Sequence, residues 1–285
     1  GLVWFRIALS GLKGGHSGDD IDKGRGNSNK LLNRFLRYGT REFGLRLAQF
    51  DGGNLRNAIP REAFAIFGVS AGCVKPMLER FETYKAEITA EFQMTESSLE
   101  VTLAEEPAPA QVVDEVTQRR LVNAVCGVPN GVLAMSSAMP GLVETSTNLA
   151  SVKFPEPGRI VVTTSQRSSV GSARDEAAAS VRAVFDLAGA RVIHSDGYPG
   201  WNPNPGSRLL KVAEQTYERL FGHAPKVRAI HAGLECGLFL EKYPHLEMVS
   251  FGPTLRGVHS PDERLEIPTV DKFWKLLVGV VDALR

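Results

Sequence analysis

The feature that most constrains this chain is an alternation that occurs twice. Between Val3 and His194 short β-rich runs give way repeatedly to longer amphipathic helical ones, on both sides of the proline-rich connector Glu105-Glu106-Pro107-Ala108-Pro109-Ala110. Before the connector, residues 3–9, 45–50, 63–69 and 99–103 read as strands. Asn27–Arg41 places Leu31, Leu32, Phe35 and Leu36 on one helical face, and Val74–Phe92 does the same with Met77, Phe81, Tyr84 and Ile88. After it, residues 113–125 and 172–187 read as helices and 145–153, 159–164 and 191–194 as strands. Alternation of this kind predicts an α/β domain of two similar halves.

A second composition boundary follows. Gly197-Tyr198-Pro199-Gly200-Trp201-Asn202-Pro203-Asn204-Pro205 is too dense in glycine and proline for a regular element and reads as a domain junction. Beyond it, 209–221 and 270–284 are helical in pattern, and 228–230 and 248–251 are strand-like. With 285 residues and 43% hydrophobic content the chain can bury a sizeable core. A net charge of +1 argues against nucleic acid or an anionic membrane as partner. There is no run of about 18 apolar residues to span a bilayer. Three scattered cysteines, Cys73, Cys126 and Cys236, make neither a disulfide framework nor a cysteine zinc site, which fits a reducing cytoplasm. The chain opens at Gly1 directly on a strand pattern without a methionine, so further residues upstream are expected.

Four polar positions stand out against this frame. His16 lies in Gly11-Leu12-Lys13-Gly14-Gly15-His16-Ser17-Gly18, where glycines thin the backbone so that the imidazole can reach a ligand; a flexible turn with an incidental histidine is the rival reading. No Gly-Lys-Ser/Thr signature follows, which disfavours a phosphate loop. Asn57 precedes Ile59-Pro60 and either caps a turn or faces a ligand. Arg167 ends a β-rich run before a helix and either forms a surface ion pair or clamps a carboxylate. His259 follows Gly252-Pro253 and precedes Asp262-Glu263, a loop setting that suits a metal ligand, a base or a surface histidine.

Taken together, Gly11–Gly18, Leu55-Arg56-Asn57-Ala58-Ile59-Pro60-Arg61-Glu62-Ala63, Gly197-Tyr198-Pro199-Gly200-Trp201, Ile230–Phe239 and Gly252–Glu263 resemble the bacterial aminoacyl-histidine dipeptidases. These are di-zinc metallopeptidases that carry a lid domain. The resemblance runs the length of the chain, with five motifs in the same order. It implies an α/β fold in which a two-half lid domain, 1–197, of the dimerisation type, is followed by 198–285, the C-terminal part of the zinc-peptidase α/β catalytic domain. It further implies a cytoplasmic enzyme that hydrolyses Xaa-His and other dipeptides, with two zinc ions and a homodimeric assembly. By the same resemblance His259 is a terminal zinc ligand. His16 is the lid histidine that stabilises the tetrahedral intermediate. Asn57 and Arg167 hold the substrate, with Arg167 on its C-terminal carboxylate. Gly233 and Glu235 lie in a substrate-facing loop.

The departures matter as much. The family's H-x-D motif, bridging aspartate and Glu-Glu pair lie upstream of its lid. Here His194-Ser195-Asp196 spells H-x-D at the domain junction, and Glu105-Glu106 opens the connector; both read as coincidences of context. The chain therefore resembles the C-terminal part of such an enzyme, lacking most zinc ligands, the general base and an N-terminal catalytic segment. It is expected to be inactive alone, with apolar surface exposed on residues 209–285. The rival readings are a non-catalytic lid and substrate-binding module, or a related di-zinc deacylase.

Overall fold

The computed structural model describes residues 1–137, 139–195, 197, 199–201, 204, 206–228, 235–256 and 263–285. They form two compact units, Gly1–Gly200 and the described residues after Gly200. In the first, β1 (Leu2–Ser10), the two-residue β2 (Gly15–His16), α1 (Ser28–Glu42), β3 (Arg46–Gly52), the two-residue β4 (Ala58–Ile59), β5 (Ala63–Ser70), α2 (Val74–Phe92) and β6 (Glu100–Glu105) precede the connector. After it come α3 (Glu115–Gly127), β7 (Gly131–Met135), β8 (Val143–Glu156), β9 (Arg159–Ser168) and α4 (Gly171–Leu187).

The helix starts follow from side-chain capping. Asn27 accepts from the Lys30 amide at 3.2 Å, and Asp114 accepts from the Thr117 amide at 2.9 Å, so α1 and α3 each begin one residue later. Seven strands build one antiparallel sheet in the order β6-β1-β5-β3-β8-β7, with β9 also paired to β8. Before the connector the strands of this sheet and their helices run β-α-β-β-α-β along the chain, the short β2 and β4 pairing apart, and within that half β1 and β5 are central. The part after the connector joins where Gly52 of β3 meets Val152 of β8. The core lies between this sheet and its helices. Phe35 of α1 sits 5.7 Å from Phe67, 5.4 Å from Tyr84 and 6.0 Å from Phe81, ring to ring. Each such side chain, removed from water, contributes about 1.5–3 kcal/mol.

Two expected strands are not formed. Residues 191–194 are irregular because Arg182 of α4 donates to the Val192 carbonyl and to His194 Nε2, which ties the stretch to a helix side chain instead of a ladder. Met248–Phe251 is also irregular: Val249 and Phe251 satisfy their apolar character by packing on helices. The expected strand at 228–230 is irregular at Arg228, and its other two residues lie outside the described set.

The second unit holds α5 (Arg208–Phe221), α6 (Glu235–Lys242), the two-residue pair β10 (Leu255–Arg256) and β11 (Arg264–Leu265), and α7 (Pro268–Ala283). Its buried apolar cluster is small, Ala213 of α5 with Leu276 and Val280 of α7. Ile267, Phe239 and Trp274 are exposed at 78%, 54% and 60%, so apolar surface on this segment is extensive. No helix among the described residues is long and apolar enough to cross a membrane.

Candidate functional site

The stretch from Gly11 to Asn27 leaves β1 at one edge of the core and returns to α1, and its shape is set by two acidic side chains. Glu96, only 3% exposed, accepts from the Lys13 amide and from the Gly26 amide, both at 2.8 Å, and so pins the loop at both ends. Asp20 braces the middle. One oxygen accepts from the His16 amide at 2.9 Å, and the other pairs with Arg25 at 3.0 Å. Arg25 also donates to the Gly14 carbonyl at 2.6 Å. Gly15 is required here: its φ is +131°, and a Cβ would come within 2.1 Å of Arg25 Nη1.

His16 is thus not on a free loop, as its glycine neighbours imply, but in β2, paired with Ala58 of β4. Two strand residues suffice because a partner backbone is waiting: Asn148 of β8 donates to the Ala58 carbonyl at 2.8 Å and holds β4 in place. The side chain of His16 is 25% exposed. Its Nδ1 accepts from the backbone amides of Gly18 and Asp19, each at 3.3 Å. A nitrogen that accepts carries no proton, so the neutral ring has its proton on Nε2, which becomes a hydrogen-bond donor. Gly18 permits this approach, since a Cβ there would stand 3.0 Å from His16 Cε1.

Asn57 and Arg167 come to the same place. The Asn57 carbonyl accepts from the Ser17 amide at 2.8 Å. Its side-chain amide has no partner among the described residues and is half-buried. Arg167 stands on β9 opposite Ser146 of β8, and its Nε donates to Ser17 Oγ at 3.3 Å. Burial draws the guanidinium below its usual pKa, with the Asp19 carboxylate opposing that shift. No carboxylate among the described residues reaches ion-pair distance of Arg167. Among the described residues this partly buried cation has a neutral hydroxyl as its side-chain hydrogen-bond partner and the Asp19 carboxylate acts on it from beyond ion-pair distance, which leaves its terminal nitrogens suited to an anion. The site therefore presents an imidazole donor, an amide and a guanidinium fork, a set suited to a molecule bearing a polarised carbonyl and a carboxylate.

The remaining expected residues are not placed with these. Gly233 and His259 lie outside the described residues, as does the side chain of Glu235. The backbone of Glu235 opens α6, so the expected substrate-facing loop is helical from that residue onward. His194 is exposed and bonded to Arg182, while Asp196 lies outside the described set. Glu105 ends β6, and the Glu106 amide donates to the Trp4 carbonyl, so that acid pair extends a strand ladder. Among the described residues no group of three or more histidine, cysteine, aspartate or glutamate side chains could hold a metal ion. The described residues thus do not fit a zinc centre.

Sequence reasoning missed Ser17, Asp20, Arg25, Glu96 and Asn148. Only Asn148 left a trace, as the end of the polar run Thr145-Ser146-Thr147-Asn148 inside a strand pattern; all four are buried. A polar run buried in a strand marks side chains that serve partners.

Comparison with known proteins agrees with this architecture. Residues 1–97 match the peptidase dimerisation domain, and residues 65–283 match peptidase family M20/M25/M40. The cytosol non-specific dipeptidase of Escherichia coli strain K12 is 42% identical over 284 residues, covering 99% of this chain and 58% of that protein. The crystal structure of aminoacylhistidine dipeptidase from Vibrio alginolyticus superposes with a TM-score of 0.91 at 42% identity, over 99% of this chain and 58% of that one. The chain thus spans 58% of the length of both relatives. With a family match extending over most of its residues and a fold shared at that TM-score, the chain belongs to peptidase family M20/M25/M40.

Proposed function

We propose that this chain is the lid and C-terminal catalytic portion of a metal-dependent dipeptidase acting on Xaa-His and other dipeptides. Residues 1–197 form the lid in this reading and 198–285 belong to the catalytic domain. The observation that carries it is Arg167: a half-buried guanidinium with no carboxylate at ion-pair distance among the described residues, joined through Ser17 to His16. Arg167 takes the substrate's C-terminal carboxylate, Asn57 bonds the peptide backbone, and His16 donates from Nε2 to the carbonyl oxygen as negative charge develops there. One such donor is worth about 3 kcal/mol in a transition state. Gly233 and Glu235 face the substrate in this reading, and His259 is a metal ligand.

His259 is the residue of this chain that would help hold zinc in this reading, and the chemistry such an ion would supply is polarisation of the carbonyl and activation of a water. Since the described residues hold no ligand set for zinc, the part played by this chain is read from its own side chains. The match to a dimerisation domain supports a homodimer, and the relative's cytosolic naming together with the free thiols of Cys73, Cys126 and Cys236 supports a cytoplasmic setting. The test is Arg167→Ala in the protein at the length of its dipeptidase relatives. Loss of a charged hydrogen-bonded clamp costs about 3 kcal/mol, or roughly 100-fold in kcat/KM. That loss should fall on free dipeptides through KM and spare C-terminally amidated ones. Equal losses on both would remove the carboxylate assignment.

A further inference from the structure

We propose that Ser17 is a positioning residue that sets the direction in which Arg167 presents its guanidinium, and thereby sharpens selection of substrates with a free C-terminal carboxylate. The inference rests on the reading that Arg167 holds that carboxylate.

Ser17 is 1% exposed, so its hydroxyl is out of reach of bulk water. A buried hydroxyl is costly unless bonded, and the side-chain partner that Ser17 has among the described residues is Arg167 Nε at 3.3 Å. The serine itself cannot drift. Its amide is bonded to the Asn57 carbonyl at 2.8 Å, and its neighbour His16 is fixed in β2. On the other side Arg167 is held at its backbone by the β8–β9 ladder. The Ser17 hydroxyl is therefore a fixed acceptor set against a long, flexible side chain.

The consequence follows from the shape of arginine. A guanidinium can meet a carboxylate side-on, through Nε and one terminal nitrogen, or end-on, through both terminal nitrogens. With Nε given to Ser17, the end-on pair is left for the ligand. Without Ser17 the planar group regains rotamer freedom and a competing side-on geometry, and the ligand must then restrict it on binding. The same residue links His16, Asn57 and Arg167, so the carboxylate and carbonyl subsites share one anchor.

The readout is the ratio of kcat/KM for a free dipeptide to that for its C-terminal amide, measured in the protein at the length of its dipeptidase relatives. Loss of a hydrogen bond whose donor is the charged guanidinium predicts that Ser17→Ala lowers this ratio about tenfold or more, through KM of the free acid. Ser17→Thr, which keeps the hydroxyl, should restore most of it. In the Ser17→Ala/Arg167→Ala double variant the ratio should equal that of Arg167→Ala alone, because Ser17 acts through Arg167. Equal losses on acid and amide would mean a purely structural role and overturn the inference, as would additive effects in the double variant. If Arg167→Ala collapses the ratio and Ser17→Ala leaves it intact, the Ser17 inference falls alone. If Arg167→Ala leaves the ratio intact, the reading of Arg167 falls and takes this inference with it.

Discussion

Glu96 is the side chain on which the shape of the site loop should most depend. It lies just after α2, 3% exposed, and its two oxygens close the stretch from Lys13 to Gly26 at both ends. Hydrogen bonds to a charged group contribute about 1.5–3 kcal/mol each when a partner is left unpaired. The Gly26 amide is buried and has no water to turn to, so its loss should cost about 2–3 kcal/mol. The Lys13 amide is only partly buried and can recover solvent, so about 1 kcal/mol is expected there. Glu96→Ala should therefore destabilise the first unit by about 3–4 kcal/mol, a large share of the roughly 5–15 kcal/mol of an ordinary domain. Glu96→Gln keeps one acceptor for Gly26 and turns an amide group toward the Lys13 N–H, and should cost about 1–2 kcal/mol. Native-state hydrogen exchange on the core amides of β1 and β5 reads this unit by itself. A shift below about 1 kcal/mol for Glu96→Ala would refute the clamp.

Three further outcomes follow from the same structure. Tyr84 is buried and donates to the Leu31 carbonyl at 2.8 Å, so Tyr84→Phe should cost about 1 kcal/mol in chemical denaturation. Burial pushes its phenol pKa up, so the native state keeps a proton that the unfolded chain loses. That contribution is full below about pH 10, is lost as pH rises further, and should be missing from the alkaline stability profile of Tyr84→Phe. The Asp114 carboxyl is held below its usual range by the Thr117 side chain and then by backbone amides of the first turn of α3. Its capping contribution is present above the unfolded aspartate value near ~3.9, is lost as pH falls through the lower folded value, and so the stability gap between wild type and Asp114→Ala should close in acid. Sedimentation of the protein should show a dimer at micromolar concentration, and a monomer there would remove the proposed homodimer.

How much of this was legible beforehand varies with the range of the forces involved. The long helices are local in origin: the four apolar positions of α2 read from spacing, Met77, Phe81, Tyr84 and Ile88, are its buried ones. Strands depend on partners, and there the sequence misled. Residues 191–194 and 248–251 have the composition of strands yet lack a ladder, whereas β2 and β4, two residues each, form because Asn148 holds one backbone against another. The site was legible in its ends but not in its supports. His16, Asn57 and Arg167 carry recognisable chemistry, and the motifs around them place them. Ser17 and Glu96 do their work through contacts 150, 83 and 70 residues away along the chain, and no local pattern reports such a contact.

In the proposed function one junction of loop and sheet holds both the carboxylate and the scissile carbonyl of a dipeptide. This is tested most directly by a crystal structure of the protein, at the length of its dipeptidase relatives, with a phosphinic dipeptide analogue. In that compound a phosphinyl oxygen stands where charge develops in the tetrahedral intermediate, and the C-terminal carboxylate is intact. His16 Nε2 should lie about 2.7–3.1 Å from a phosphinyl oxygen. Both terminal nitrogens of Arg167 should meet the carboxylate, with Nε still on Ser17. A bound analogue whose carboxylate lies away from Arg167, or whose phosphinyl oxygens are out of reach of His16, would contradict the proposed function.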